Sequence, residues 1–352
     1  MEKLKIGVVG AGAIGGVISA LLSQKGYDVE VAKRYNSDLV LDEYTGIELV
    51  GEFGHRHILV KSVNGVKSFT SKKDIIFVLT RAYDAPSVAK QCLPHLTENG
   101  VIVSSQNVMN VEEMLKIVGA DKLFGLIINW SATRLGKATM QVTKPGHMLI
   151  GCFGETSITY LEALQRILSN IAPTDISYNI IGDIWSRTII NSCISSVGAL
   201  TGVNLGKSML VPTTNRIFTN IICETMQMAK KLKVEVKNYG ALNYYEFTQK
   251  GLKAAWYRFK MLRRLRKQNG KCVSSCMRSI ENNVESEIEY LNGYFVKLAS
   301  KTGMFLPTNK RIYDMVKEVE NGERHMTLEN LMDYYLRRPK KYLKLIKTKK
   351  EV

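Results

Sequence analysis

Short continuous apolar runs, bounded by glycine and polar turn residues, punctuate the first half of the chain. Ile6–Val9, Gly26–Ala32, Asp74–Thr80, Val101–Ser105, Leu123–Ile128, Thr139–Val142 and Gly146–Gly151 are of strand length. Runs that are apolar without alternation are those of strands covered on both faces. Segments of helical period lie between them, notably Val17–Gln24 and Ala85–Leu93. Strands alternating with helices predict a doubly wound parallel sheet. Beyond about residue 180 the apolar period becomes helical, over Asp183–Ala199, Asn215–Lys231 and Asn283–Lys301. The pattern predicts an α/β domain over residues 1–180, an all-α domain over 181–330 and a basic tail over 331–352. An active site is expected in the cleft between the two domains.

The first strand runs straight into Gly10-Ala11-Gly12-Ala13-Ile14-Gly15, and the first helix follows. This is the G-x-G-x-x-G fingerprint of a Rossmann-type dinucleotide site in its proper strand–turn–helix context. Gly10 permits the tight turn, Gly12 lets the backbone approach a pyrophosphate, and Gly15 lets the helix pack close to the strand. The helix N-terminus then offers free N–H groups to the phosphates. A secretory or membrane segment is the alternative for Lys3 to Leu22, but five glycines in that stretch weaken it, and it falls short of about 20 apolar residues. A soluble, cytoplasmic protein is expected.

The second strand ends in Lys33-Arg34, with no carboxylate at its tip. An acidic residue there suits the ribose 2′-hydroxyl of NAD, whereas arginine suits a 2′-phosphate. NADP is therefore the expected cofactor, a solvated surface pair being the other reading. Ligands of open α/β sheets bind beyond the carboxyl ends of strands, which places Arg81 and Asn107 near cofactor or substrate.

Composition changes this picture little, and charge changes it more. The chain has 352 residues, enough for two cores, with 45% hydrophobic residues. Six scattered cysteines read as structural thiols of a reducing compartment, and no metal site is expected. The net charge of +17 is concentrated between Lys250 and Lys271, where Lys253, Arg258, Lys260, Arg263, Arg264, Arg266 and Lys267 occur without a carboxylate. Trp256, Tyr257, Phe259, Met261, Leu262 and Leu265 interleave with them. A solvated basic face, attraction of anionic substrates and contact with an anionic surface all fit this segment. No nucleic-acid motif is present.

Several blocks together resemble the ketopantoate reductases (2-dehydropantoate 2-reductases), over almost the whole chain from Lys5 to about Lys317. They are the glycine run, Gln106-Asn107, Trp185-Ser186-Arg187 with Asn191, and Ser274-Ser275-Cys276-Met277. Glu287-Ile288-Glu289-Tyr290-Leu291-Asn292-Gly293 and Pro307-Thr308-Asn309 complete the set. The resemblance implies NADPH-dependent reduction of the 2-keto group of ketopantoate, on the route to pantothenate and coenzyme A, by a monomer or homodimer. It makes Gly10, Ala11, Gly12, Ala13, Ile14, Gly15, Arg34, Arg81 and Asn107 cofactor residues. It makes Asn107, Asn191, Ser195 and Ser275 substrate residues, and Arg187 and Glu287 catalytic ones. Asn107 and Ser275 are also suited to capping helices, and Glu287 to a helix surface.

The departures are informative. Arg187 stands where the resemblance places a lysine that donates a proton, and Ser195 where it places a second asparagine. Arg81 likewise stands for a lysine, and Asn107-Val108-Met109-Asn110 for a glycine-containing turn. Arginine stays charged, so Arg187 is suited to hold a carboxylate or an oxyanion, and the proton must come from water or another side chain. Ketopantoate is the leading substrate, another branched or aromatic 2-oxo acid the runner-up. A cofactor-binding protein that has lost catalysis and acts through its basic surface is the alternative from a different class.

Overall fold

The computed structural model describes residues 3–33, 44–106, 109–154 and 158–333. Arg34, Asn107 and most of the basic tail lie outside the described residues. The chain divides into two compact units, the first Met1–Ile184 and the second beginning at Trp185.

Among the described residues the first unit carries eleven strands: β1 Lys5–Val9, β2 Asp28–Lys33, β3 Tyr44–Gly51, β4 Arg56–Asn64, β5 Lys73–Val78, β6 Leu96–Ser104, β7 Leu123–Ile128, β8 Ser131–Arg134, β9 Thr139–Lys144, β10 Met148–Cys152 and β11 Thr174–Ile176. With them pack the helices α1 Ala13–Gln24, α2 Ala85–Cys92, α3 Val111–Val118 and α4 Ile158–Leu168. All the strands join one sheet in the order β11-β10-β7-β6-β5-β1-β2-β4-β3-β9-β8. The stretch β4-β2-β1-β5-β6-β7 is parallel throughout, which is the Rossmann order 3-2-1-4-5-6. Successive residues of the central strands enter opposite cores. Ile75 and Phe77 meet α1 and α4 on one face, whereas Ile76 and Val78 meet α2 and α3 on the other. Burial on both faces explains the unbroken apolar runs.

The second unit is helical: α5 Ile180–Thr201, which starts just before the boundary, then α6 Leu205–Ser208, α7 Pro212–Lys231, α8 Tyr244–Phe247 and α9 Leu252–Asn269. The remaining helices are α10 Ser275–Glu281, α11 Asn292–Thr302, α12 Pro307–Glu320 and α13 Asn330–Asp333. The single helix expected over Asn283–Lys301 is a 3₁₀ turn at Ile288–Tyr290 followed by α11. Asn283 adopts φ 52° after α10, and Leu291, at φ −104° and ψ −106°, is not helical. Much of the Glu287–Gly293 and Pro307–Asn309 blocks is architectural. The Glu224 carboxylate of α7 accepts from the Thr308 and Asn309 backbone N–H groups at 2.8 and 3.0 Å, and from Asn309 Nδ2 at 2.8 Å. Asn292 Nδ2 in turn donates to Asn309 Oδ1 at 3.0 Å, so α7, α11 and α12 share one buried polar knot. Among the described residues no helix is long and apolar enough to cross a membrane.

Candidate active site

In the first unit the glycine run sits where β1 and β5 diverge, the point at which strand order reverses. Gly10 has φ 107°, and a Cβ there would collide with the backbone of Leu79 and Thr80. A Cβ on Gly15 would strike the Gly10 carbonyl oxygen, so this glycine sets how closely α1 approaches the turn. Gly12 differs, because nothing lies within 4 Å of where its Cβ would be. It is the N-cap of α1, and no side chain caps the helix there. The N-terminal N–H groups of α1 are thus left to a ligand or to water.

A cavity of about 570 Å³ opens over this turn. Gly10, Ala11, Gly12, Thr80 and Arg81 line it, together with Lys33 and Arg134. Ala13 and Ile14 begin α1 and pack against the core, and neither is among the lining residues. An open glycine cradle, an uncapped helix start and three cationic side chains fit a dinucleotide phosphate chain.

Lys33 is only 5% exposed, at the end of β2. Its Nζ donates to Thr45 Oγ1 at 3.1 Å, and Thr45 Oγ1 lies 3.2 Å from Ser62 Oγ. Burial pushes its ammonium down to about 8. Nothing in the sequence marks Arg134, since β8 is a four-residue strand with no fully buried position. Gln106 Nε2 donates to the Thr80 carbonyl at 3.2 Å and ties the end of β6 to the end of β5. Asn110 occupies the N-cap position of α3, where its Nδ2 donates to the Ala82 carbonyl at 3.0 Å.

In the second unit α5 is buried along most of its length, and Arg187, Asn191 and Ile194 form a half-buried stripe at spacings of four and three. Arg187 Nη1 donates to Tyr239 Oη at 3.4 Å, and its guanidinium carbon lies 5.2 Å from the centre of the Tyr239 ring. Ser195 Oγ lies 3.2 Å from Ser275 Oγ, so two residues 80 positions apart in sequence share one place. Ser274, and not Ser275, is the N-cap of α10. Its Oγ accepts from Met277 N at 2.8 Å and donates to the Ser195 carbonyl at 2.9 Å, so the capping task falls to Ser274 and the Ser275 hydroxyl stays with that of Ser195. Glu287 is half-buried at the head of the 3₁₀ turn, not on a helix surface, and close enough to Cys276 for its charge to be felt there. Burial is the main cause that pushes the Cys276 thiol up to about 12.

The parallel sheet with its glycine cradle, followed by a helical unit, defines a two-part oxidoreductase built on a Rossmann-type domain. The family models agree. The ketopantoate reductase PanE/ApbA model matches residues 6–155 and its C-terminal counterpart residues 179–320, so the chain belongs to the ketopantoate reductase family. The 2-dehydropantoate 2-reductase of Aquifex aeolicus (strain VF5) is 27% identical over 329 residues, covering 90% of this chain and 97% of that protein. The PanE/ApbA family ketopantoate reductase of Ralstonia eutropha JMP134 superposes with a TM-score of 0.75 at 18% identity, over 92% of this chain and all of the other. A D-mandelate dehydrogenase solved with NADH and anilino(oxo)acetate superposes with a TM-score of 0.78 at 18% identity, over 91% and 99%.

Proposed function

We propose that the protein is an NADPH-dependent reductase of a small 2-oxo acid, with 2-dehydropantoate as the leading substrate. The observation that carries the cofactor reading is Lys33, a buried cation at the tip of β2 on the rim of a cavity that Arg81 and Arg134 also line. A 2′-phosphate would satisfy a charge that the fold has otherwise desolvated at a cost. Arg34, next in sequence, is the second candidate for that phosphate. The open Gly12 and the N–H groups of α1 would take the pyrophosphate. When bound, the reduced nicotinamide would supply the hydride.

The residues of the second unit supply the rest. Arg187 holds the substrate carboxylate or the developing oxyanion by charge, and Asn191 on the next turn donates to the same molecule. The Ser195–Ser275 pair and Glu287 anchor its hydroxyl group. Asn107 would bind at the cofactor end. The guanidinium of Arg187 also favours a second reading, reduction of another branched or aromatic 2-oxo acid. An arginine fork holds a carboxylate well but does not hand over a proton at neutral pH.

NADPH oxidation with a panel of 2-oxo acids tests the proposal, ketopantoate and aromatic acids included. Turnover with ketopantoate is the expected result. Tight NADPH binding without turnover on any acid would overturn it and favour a binding protein. The Arg187→Lys variant separates the two substrate readings. A large gain with ketopantoate and the loss of activity on another acid would show that the wild-type site is shaped for that other acid.

A further inference from the structure

Reduction of a 2-oxo acid needs two transfers. A hydride from the reduced nicotinamide forms the new C–H bond at the carbonyl carbon, and the π pair of the C=O bond withdraws onto oxygen. A proton must then form the O–H bond, and the donor must recover its own from solvent. A guanidinium such as that of Arg187 has only N–H donors and is no general acid. The residue at the proton-donating position of the site therefore does not donate the proton.

We infer that Tyr239 is the proton donor, acting beside Arg187. The inference rests on the reductase reading above. The arrangement between the two side chains has the polarity that this role requires. Arg187 Nη1 donates to the phenol oxygen, so the phenol accepts that bond and its own O–H remains to be given to substrate. When the O–H bond breaks, its electron pair stays on a phenolate oxygen 3.4 Å from a fixed guanidinium nitrogen. The same cation also stacks on the ring at 5.2 Å. Arg187 thus keeps the electrostatic half of a lysine's task, and Tyr239 takes the proton half.

The turn that bears Tyr239 is braced from three sides. Tyr239 N donates to the Leu242 carbonyl and Leu242 N to the Tyr239 carbonyl, both at 3.0 Å, and Gly240 turns the chain with φ 55°. Tyr257 of α9 accepts from Asn243 N at 2.8 Å and donates to the Ala241 carbonyl at 3.2 Å. Tyr244, fully buried, donates to the Ser186 carbonyl at 2.7 Å, immediately before Arg187. Burial pushes the Tyr244 phenol far up, which leaves it a structural strut. Tyr239 is half-buried and faces the same guanidinium. A proton donor must be held in position, and the residues that follow Tyr239 are tied to α9 through Tyr257 and to α5 through Tyr244.

The test is steady-state kinetics of the full chain with NADPH and the best 2-oxo acid of the panel, comparing wild type, Tyr239→Phe and the double variant Tyr239→Phe/Arg187→Lys. Phenylalanine keeps the ring stacked on Arg187 and removes only the hydroxyl. In Tyr239→Phe, kcat is expected to fall about 10²-fold or more, with the acid's KM and the NADPH Kd within about threefold of wild type. The double variant restores a donor in lysine and is expected to regain at least about tenfold of the lost kcat. Unchanged kcat in Tyr239→Phe overturns the inference alone. A loss that the lysine does not relieve, accompanied by a raised KM or a lowered Tm, shows that Tyr239 only supports the site and likewise overturns it. Absence of turnover by wild type on every acid removes the reductase reading and this inference with it.

Discussion

A single buried cation, Lys33, carries the cofactor argument, and its burial makes the argument measurable. Burial holds its ammonium at about 8, well below a lysine's ordinary 10.5. Below pH 8 the side chain is charged and available to a 2′-phosphate; above it the free enzyme holds a neutral amine. NADPH affinity is therefore expected to fall as pH rises through 8, whereas NADH affinity stays flat over the same range. In Lys33→Met, NADPH should bind about 10- to 100-fold more weakly at pH 7, the worth of one charge-assisted bond, with NADH unchanged. Equilibrium fluorescence titration with both nucleotides checks this. Equal weakening of both would detach Lys33 from the 2′-phosphate. Arg187 stands apart from Lys33 in what the sequence disclosed. Trp185 and Asn191 mark Arg187 in the sequence, but nothing there marks its contact with Tyr239. Tyr239 lies 52 residues further along, in a turn with no motif, and only the folded chain brings the two together.

At the scale of elements, the glycine turn separates two tasks that the motif presents as one. Gly15→Ala would press a methyl group into the Gly10 carbonyl and push α1 off the sheet, so a lowered Tm is expected. Gly12→Ala meets open space, so its Tm should stay within about 2 °C of wild type while NADPH binding weakens at least about tenfold. Thermal unfolding with and without nucleotide distinguishes them, and unaltered nucleotide binding in Gly12→Ala would move the phosphates elsewhere. A second element-scale device joins β2 to β5. Glu30 and Lys73, 1% and 0% exposed, pair at 2.7 Å, and Lys61 lies 3.0 Å from the same carboxylate. Burial alone would raise the Glu30 carboxyl, but bonds from Lys73, Thr70 and Lys61 overcome it and hold the group at about 2, against an ordinary 4.5. A depressed carboxyl contributes stability that is complete above pH 4.5 and is lost as pH falls toward 2, here about 3 kcal/mol. Glu30→Gln should cost about 3–5 kcal/mol at pH 7 by leaving Lys73 buried without its counter-charge, and denaturant unfolding should show the gap to wild type narrowing at pH 3. The parallel strands were readable because both of their faces are covered. The polar edges were not. β3 and β4 form an antiparallel pair in which Arg56, His57 and Leu59 stay exposed, and β8 has no buried residue. Arg134 rides on β8, so the sequence pattern hides it along with the strand that carries it.

At the scale of the whole molecule, the charge of +17 has a place in the fold as well as in the composition. The basic segment forms α9, which buries Ala254, Met261, Leu262 and Leu265 on one face. Lys253, Lys260, Arg263, Arg264, Arg266 and Lys267 are exposed, and none of the ion pairs among the described residues involves α9. These cations add little to folding, since exposed charges contribute little even when paired. Their effect is on the field around the molecule. Both proposed ligands, NADPH and a 2-oxo acid, are anions, so a cationic protein attracts them until salt screens the field over about 10 Å at 0.1 M. The rate constant for NADPH binding is accordingly expected to fall several-fold between about 0.05 and 0.5 M salt, by stopped-flow fluorescence. Replacing Lys260, Arg263 and Arg264 of α9 by glutamate should flatten that dependence and leave Tm within a few degrees. A salt dependence that survives the triple variant unchanged would assign the attraction to Lys33, Arg81 and Arg134 at the cavity itself. The field would then be a property of the site, and the basic face of α9 would take no part in drawing substrates in.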